Sequence, residues 1–261
     1  MATAKNWNYQ RLMVSIEAPV ARITLTNPPV NVIDFVMMDE LLVAMEEAEN
    51  RNDVAAVVFA GGDRAFSAGV DVAAHTPDNA RDMLVRFNSV IRAVIATSKV
   101  TIAAVRGNCF GGGAELAAVC DLVFTSDNSN WGFPEITLGC FPPVAAVMMS
   151  AIVGQKRAAD LILTGRRING EEAMRIGLAN EAVPEDELSE VVDETAARLG
   201  KLSPASLAMT KKALYTWDAM HFEKGLARAE QIYLEELMKL EDAREGIKAF
   251  MEKRQPVWKG K

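Results

Sequence analysis

Two glutamates stand where the chain is otherwise apolar. Glu115 lies one turn inside GGGAELAAVC, a segment whose other residues are small or apolar on every helical side, and Glu135 lies in WGFPEITLG behind a proline that restrains the preceding phenylalanine. A helical glutamate is usually solvated. Apolar surroundings weaken that reading, because they raise a carboxyl pKa, and groups so perturbed gather at functional sites. The two residues are twenty positions apart across one intervening strand and could face the same water. Such a pair offers a base to take a proton from water and an acid to deliver one elsewhere, which is what adding water across a double bond requires.

Backbone chemistry accompanies them. In Val105 to Cys120, VRGNCFGGGAELAAVC, three consecutive glycines leave a buried strand and enter a helix. The first turn of that helix offers unpaired N–H groups of positive dipole character, able to hold an anion or a developing oxyanion. Close helix-to-strand packing alone would also account for the glycines. A second glycine turn, GGDRAFSAGVD from Gly61 to Asp71, also follows a buried strand. If the two strands are parallel neighbours, both turns reach one sheet edge and two N–H groups can converge on one oxygen.

Other chemistries lose their key residues. The chain has two histidines, His75 and His221, too few for a three-histidine metal site and not at a familiar ligand spacing. Ser67 in AFSAG lacks the first glycine of a nucleophile elbow. Gly107 and Gly112 have P-loop spacing, but Gly113-Ala114 stands where Lys and Ser or Thr belong, and GGGAEL is no dinucleotide fingerprint. A net charge of −7 argues against a nucleic-acid partner, and 50% hydrophobic residues rule out disorder. Cys109, Cys120 and Cys140 suggest neither a disulfide framework nor a zinc site. The first residues contain no signal-peptide apolar run, and stretches such as 144–153 are about half the ~20 residues that span a bilayer. The expectation is a soluble, cytoplasmic protein with no membrane partner.

The elements that must position these groups read as an α/β fold. Alternation over 12–26 predicts a hairpin turning at Ala18-Pro19. Helical spacing at Met38 to Ala48 precedes a buried strand at 55–59, and a helix over 81–96 precedes the strand VTIAAVRG. GGGAELAAVC with the strand 121–125 suggests a third pass. Beyond about residue 154 strand signals vanish. Asn169 with Glu172 suggests a capping box, Gly177 a helix stop, and Ser203-Pro204 a helix start. Helices are expected near 185–200, 204–217, 221–239 and 241–254. His75 could touch a substrate from its loop, though a lone loop histidine is more often solvated, and Lys211-Lys212 could be taken for a phosphate contact but reads as a solvated helix face.

With these residues in view, the chain resembles the crotonase, or enoyl-CoA hydratase/isomerase, family. The matching pieces are AFSAGVD, VTIAAVRGNCFGGGAELAAVCDLVFTS, WGFPEITLG, GQKRAADLILTGRRINGEEAMRIGLANEAV and REGIKAFMEKRQPVW, in family order over nearly the whole chain. The resemblance implies a crotonase-like spiral of ββα units over 1–200 and a helical oligomerisation region over 201–261, assembled as a homotrimer or dimer of trimers. It implies an acyl-CoA substrate, with CoA part of the substrate and no separate cofactor or metal. It implies backbone N–H groups of Ala68 and Gly112 on the thioester oxygen, with Glu115 activating water and Glu135 handling the α-carbon proton. Phe66, Ala68, Val70, Gly111 and Pro134 would border the substrate, while Phe250 and Lys253 would reach the adenine and phosphate of a neighbouring subunit's CoA. CFPPVAAVMMS replaces the glycine-rich run of many relatives after Gly139; its two prolines are rigid, and Met148 and Met149 could line the acyl wall. FPPVA and the short AAHTPDN connection are similar to the cyclohexa-1,5-diene-1-carbonyl-CoA hydratase branch. The leading expectation is a hydro-lyase acting on an α,β-unsaturated acyl-CoA. The alternatives are an acyl-CoA isomerase or thioester hydrolase on the same fold, or a non-catalytic acyl-CoA binding subunit.

Overall fold

Alternating apolar residues around Ala18-Pro19 form β1 (Leu12–Glu17) and β2 (Val20–Leu25), paired antiparallel with Leu12 opposite Leu25 and Glu17 opposite Val20. The structure is a computed structural model that describes residues 9–261. Asp34 then starts α1 (Phe35–Glu49) by accepting the Met37 N–H at 2.8 Å. The helix turns Met38, Leu41, Met45 and Ala48 inward, as their spacing requires, and delivers the chain to β3 (Ala56–Ala60).

From here one unit repeats: a long strand, a turn, a short strand and a helical segment. The first copy is β3, β4 (Ala65–Ser67) and α2 (Ala80–Ala96). The second is β5 (Val100–Val105), β6 (Asn108–Phe110) and α3 (Gly112–Ala118). The third is β7 (Leu122–Ser126), β8 (Asn130–Gly132) and a 3₁₀ turn, Pro134–Leu138, leading to α4 (Pro143–Val153). The chain continues through α5 (Gln155–Thr164), β9 (Ile168–Asn169), α6 (Gly170–Arg175), β10 (Glu181–Val183), α7 (Leu188–Gly200), α8 (Pro204–Gln231) and α9 (Glu241–Met251). Long strands build a six-stranded sheet in the order β1-β2-β3-β5-β7-β10, parallel from β2 onward, and short strands build a second sheet, β4-β6-β8-β9. This is the expected α/β spiral followed by helices.

Sheet layering explains why the long strands read as unbroken apolar runs. Val57 and Phe59 face the main core, whereas Ala56 and Val58 face a second layer formed with Leu188, Val192 and Ala196 of α7. Strands do continue past residue 154: β10 pairs parallel with β7, and β9 antiparallel with β8. At two and three residues they are too short to show a period. The helices expected at 204–217 and 221–239 are one helix, α8, which passes into a π turn at Ile232–Glu236 and a 3₁₀ turn at Leu237–Lys239. No Gly or Pro lies between 217 and 221 to divide them. The last helix ends at Met251 rather than 254. Asn169 caps α6 through the Glu172 N–H at 2.9 Å, but the Glu172 carboxylate pairs with Arg166 instead of closing a box. No helix among the described residues is long and apolar enough to cross a membrane.

Lys211 is not on a solvated face. Its ammonium is buried, donating to the Lys99 carbonyl at 2.9 Å and lying 2.8 Å from the Asp121 carboxylate. The same Asp121 oxygen accepts the Thr101 N–H and hydroxyl, so one carboxylate joins α8, β5 and the end of α3. Removing the cation would strand a nearly buried charge. Lys211→Met is expected to lower stability by about 3 kcal/mol, or roughly 6–12 °C in Tm, measured by thermal denaturation.

Candidate active site

Three successive repeats deliver their chemistry at equivalent places, immediately after β4, β6 and β8. Because β4, β6 and β8 run parallel and side by side, the Ala68-Gly69-Val70 turn, the start of α3 and the Pro134–Leu138 turn converge on one cavity of about 250 Å³. Both glutamates line it, and so do Ala68, Val70, Gly111, Gly112 and Pro134.

The carboxyl groups share the cavity but not their surroundings. Glu115 is 3% exposed, and its Oε1 accepts the Ala145 N–H of the first turn of α4 at 2.9 Å. Burial raises its pKa, while the N–H groups of Ala145 and Val144 oppose the rise by holding the anion. Glu135 is 8% exposed, and its Oε2 is buried without a hydrogen-bond partner. Burial raises its pKa first, and the neighbouring Glu115 charge raises it further. A proton shared by the pair therefore favours Glu135, and Glu115 is the first of the two to ionise.

The three glycines serve three close approaches. A Cβ on Gly111, whose φ is +51°, would lie 2.6 Å from the Glu135 Oε1; one on Gly112 would lie 2.7 Å from a Val70 methyl; one on Gly113 would lie 2.6 Å from the Ser67 Cβ. Packing and function are thus both present, since the room left at Gly111 is filled by a carboxylate. Gly112, the first residue of α3, lines the cavity, and the first N–H groups of a helix have no partner within it.

One expected donor is already engaged. The Ala68 N–H donates to the Val30 carbonyl at 2.8 Å, and Gly69 N–H to the Ser67 hydroxyl at 3.1 Å. Ile33 bridges to Val70 by giving its N–H to Gly69 and accepting that of Asp71. The Val70 N–H is left without an acceptor among the described residues. Parallel pairing with the 30–33 segment, which has no strand signal, makes this selection.

Other expectations also shift. Phe66 is fully buried in the core and does not border the cavity. Phe250 does border it, brought to this chain's own site by α9, which packs on the Pro134–Leu138 turn. A Cβ on Gly246 would collide with the Leu138 carbonyl, so glycine permits that seating. Lys253 follows in an exposed turn at φ +54°, outside this chain's own cavity, where the expected role toward a neighbouring subunit's CoA would also place it. Met149 is core and Met148 lines a separate apolar cavity, so this segment meets the glutamate cavity through Phe141, Pro142 and Pro143 instead. His75 lines the site rather than solvent: it ends a 3₁₀ turn, its Nδ1 lies 2.9 Å from the Asp71 carbonyl, and burial lowers its pKa. Arg167, stacked 4.7 Å above the Phe110 ring, and Tyr233 also line the cavity. The Asp71 to His75 spacing was a usable helical signal for His75; Arg167 and Tyr233 arrive only through tertiary packing.

The enoyl-CoA hydratase/isomerase family profile matches residues 15–261. A cyclohexa-1,5-dienecarbonyl-CoA hydratase of Thauera aromatica is 34% identical over 247 residues, covering 94% of this chain and 95% of its own. A probable enoyl-CoA hydratase of Rhizobium meliloti (strain 1021) is 35% identical over 97% of this chain and 99% of its own. The crystal structure of an enoyl-CoA hydratase/isomerase from Xanthobacter autotrophicus Py2 superposes with a TM-score of 0.86 at 31% identity, covering 95% of this chain and 98% of that one. The chain belongs to the enoyl-CoA hydratase/isomerase family.

A raised Glu135 pKa means that folding takes up a proton. The stability it contributes is full below the ordinary carboxylate range and is lost as pH rises through the raised value. Glu135→Gln is expected to gain Tm over the parent progressively from pH 5 to pH 9, by several °C at the upper end. Thermal unfolding across that range checks the sign.

Proposed function

We propose that the protein is a hydro-lyase that adds water across the double bond of an α,β-unsaturated acyl-CoA. The observation that carries this reading is the pair of buried carboxyls of unequal environment on one cavity. Ionised Glu115 takes a proton from water as the water oxygen bonds to the β-carbon. The π electrons move toward the α-carbon and into the thioester, whose oxygen accepts the N–H groups of Gly112 and, in place of Ala68, Val70. Glu135 gives its proton to the α-carbon, and the cycle closes when the proton on Glu115 returns to Glu135. No metal or redox group enters this balance.

The wall of Phe141, Pro142 and Pro143 supports a compact, rigid acyl group, and the name of the Thauera relative suggests its kind: a cyclic dienoyl-CoA. Phe250 at the cavity mouth and Arg167 beside it offer an apolar face and a cation to the nucleotide end of CoA. The apolar side chains of Leu202, Met209 and Leu214 are exposed at the start of the 201–261 region. They support its use as the oligomerisation surface of a homotrimer or dimer of trimers.

Glu115→Gln and Glu135→Gln are each expected to lower kcat by ~10²-fold or more with KM changed little, in an assay following loss of the conjugated thioester absorbance. With cyclohexa-1,5-diene-1-carbonyl-CoA and crotonyl-CoA compared at equal concentration, a higher kcat/KM for the cyclic substrate is expected. Preference for crotonyl-CoA would reject the ring assignment and leave a short-chain hydratase.

A further inference from the structure

Tyr233 is used by nothing described so far, yet it lines the cavity of the two glutamates. Its ring is 1% exposed and packs edge-on against Phe141, with centroids 5.3 Å apart at 65°. It sits in the π turn Ile232–Glu236, where the helix ladder widens, a distortion frequent at functional sites. The hydroxyl lies beside the Cys140 thiol, a weak partner whose own hydrogen goes toward the Leu138 carbonyl at 3.7 Å. Beyond that contact the hydroxyl makes no hydrogen bond among the described residues. Glu135 Oε2 is the other buried side-chain oxygen on this cavity in that condition. Leaving such a group unmade costs about 1–3 kcal/mol, so two on one cavity point to a polar ligand atom between them.

A water about to add to an alkene sets a further requirement. One of its hydrogens goes to Glu115, the other can go to the accepting oxygen of the Glu135 carboxyl, and one lone pair aims at the β-carbon. The remaining lone pair needs a donor; with the Gly112 and Val70 N–H groups assigned to the thioester oxygen, the Tyr233 phenol is, among the described residues, the buried side-chain donor on the cavity that has no partner and is not the acid itself. Burial, with Cys140 and the two carboxyls behind it, pushes the Tyr233 pKa far up, so the hydroxyl keeps its hydrogen.

We propose that Tyr233 is a third catalytic residue, donating a hydrogen bond to the attacking water and, after addition, to the β-hydroxyl of the product. This rests on the hydratase reading. The hydroxyl fixes the direction of the second lone pair and hence the geometry of attack.

Tyr233→Phe keeps the ring and its contact with Phe141 while deleting the oxygen. Expected with the preferred enoyl-CoA is a fall in kcat of about 10- to 100-fold, KM within about twofold, and a Tm unchanged or raised, because an unpaired buried hydroxyl has been removed. Cys140→Ala, which removes the sulfur beside the hydroxyl but leaves the donor, is expected to keep kcat within about threefold. Wild-type kcat in Tyr233→Phe would overturn the proposal, as would a loss of kcat accompanied by a fall in Tm, which marks a packing role. If the unaltered protein hydrates neither crotonyl-CoA nor the cyclic dienoyl-CoA, the hydratase reading itself fails. Hydration by the parent with an unaffected Tyr233→Phe fails this inference alone.

Discussion

Two carboxyl groups in one small, largely apolar cavity cannot both keep a charge without water to solvate them, and much of the site's construction follows from that constraint. Burial raises both pKa values, while the N–H groups at the start of α4 favour the anion at Glu115 alone. The pair is thereby divided into a member that favours the anion and one that favours the proton by backbone placement rather than by side-chain identity. The division costs stability, visible in the unpartnered Glu135 Oε2. It is sustained by rigid surroundings: the proline-led turn under Glu135, the two prolines ahead of α4, and α9 seated against Leu138 through Gly246.

The spiral is what makes this arrangement available. Each repeat returns its short strand parallel to the last, so whatever follows the strand lands beside its counterpart from the neighbouring repeat. The first repeat contributes a backbone turn, the second a helix N-terminus with its glutamate, and the third a 3₁₀ turn with the other. The long-strand sheet, buried on both faces, holds these ends in register. The C-terminal segments then complete the site, with Phe250 and Tyr233 lining the same cavity as the turns of the repeats.

Much of the fold and the center of the site were legible in the residues. The continuous apolar strands, the α1 and α2 periods, and the anomaly of Glu115 and Glu135 in apolar surroundings are local signals. They led to the α/β layering and to the two side chains that face one cavity. What stayed hidden was set by contacts between distant segments. The Ala68 N–H is withdrawn by the Val30 carbonyl, which belongs to a stretch without strand character. Lys211, one of two adjacent lysines on a helix, is buried because Asp121 and the Lys99 carbonyl meet it from another layer. His75 is drawn onto the cavity rather than into solvent for the same reason, and Tyr233 carries no local mark at all. Short strands such as β9 and β10 exist because a neighbouring edge was ready for them, not because their own residues demand extension.

The proposed hydration divides one water between two carbons, its oxygen going to the β-carbon and a solvent-derived hydrogen to the α-carbon. Turnover of crotonyl-CoA and of cyclohexa-1,5-diene-1-carbonyl-CoA in doubly labelled water, deuterium oxide carrying oxygen-18, followed by mass spectrometry of the intact thioester, tests it directly. The expected product is a thioester that has gained one labelled oxygen, located on the β-carbon, and one deuterium bound to the α-carbon. Recovery of label in a free acid, or of deuterium without oxygen in a rearranged alkene, would contradict it in favour of thioester hydrolysis or isomerisation.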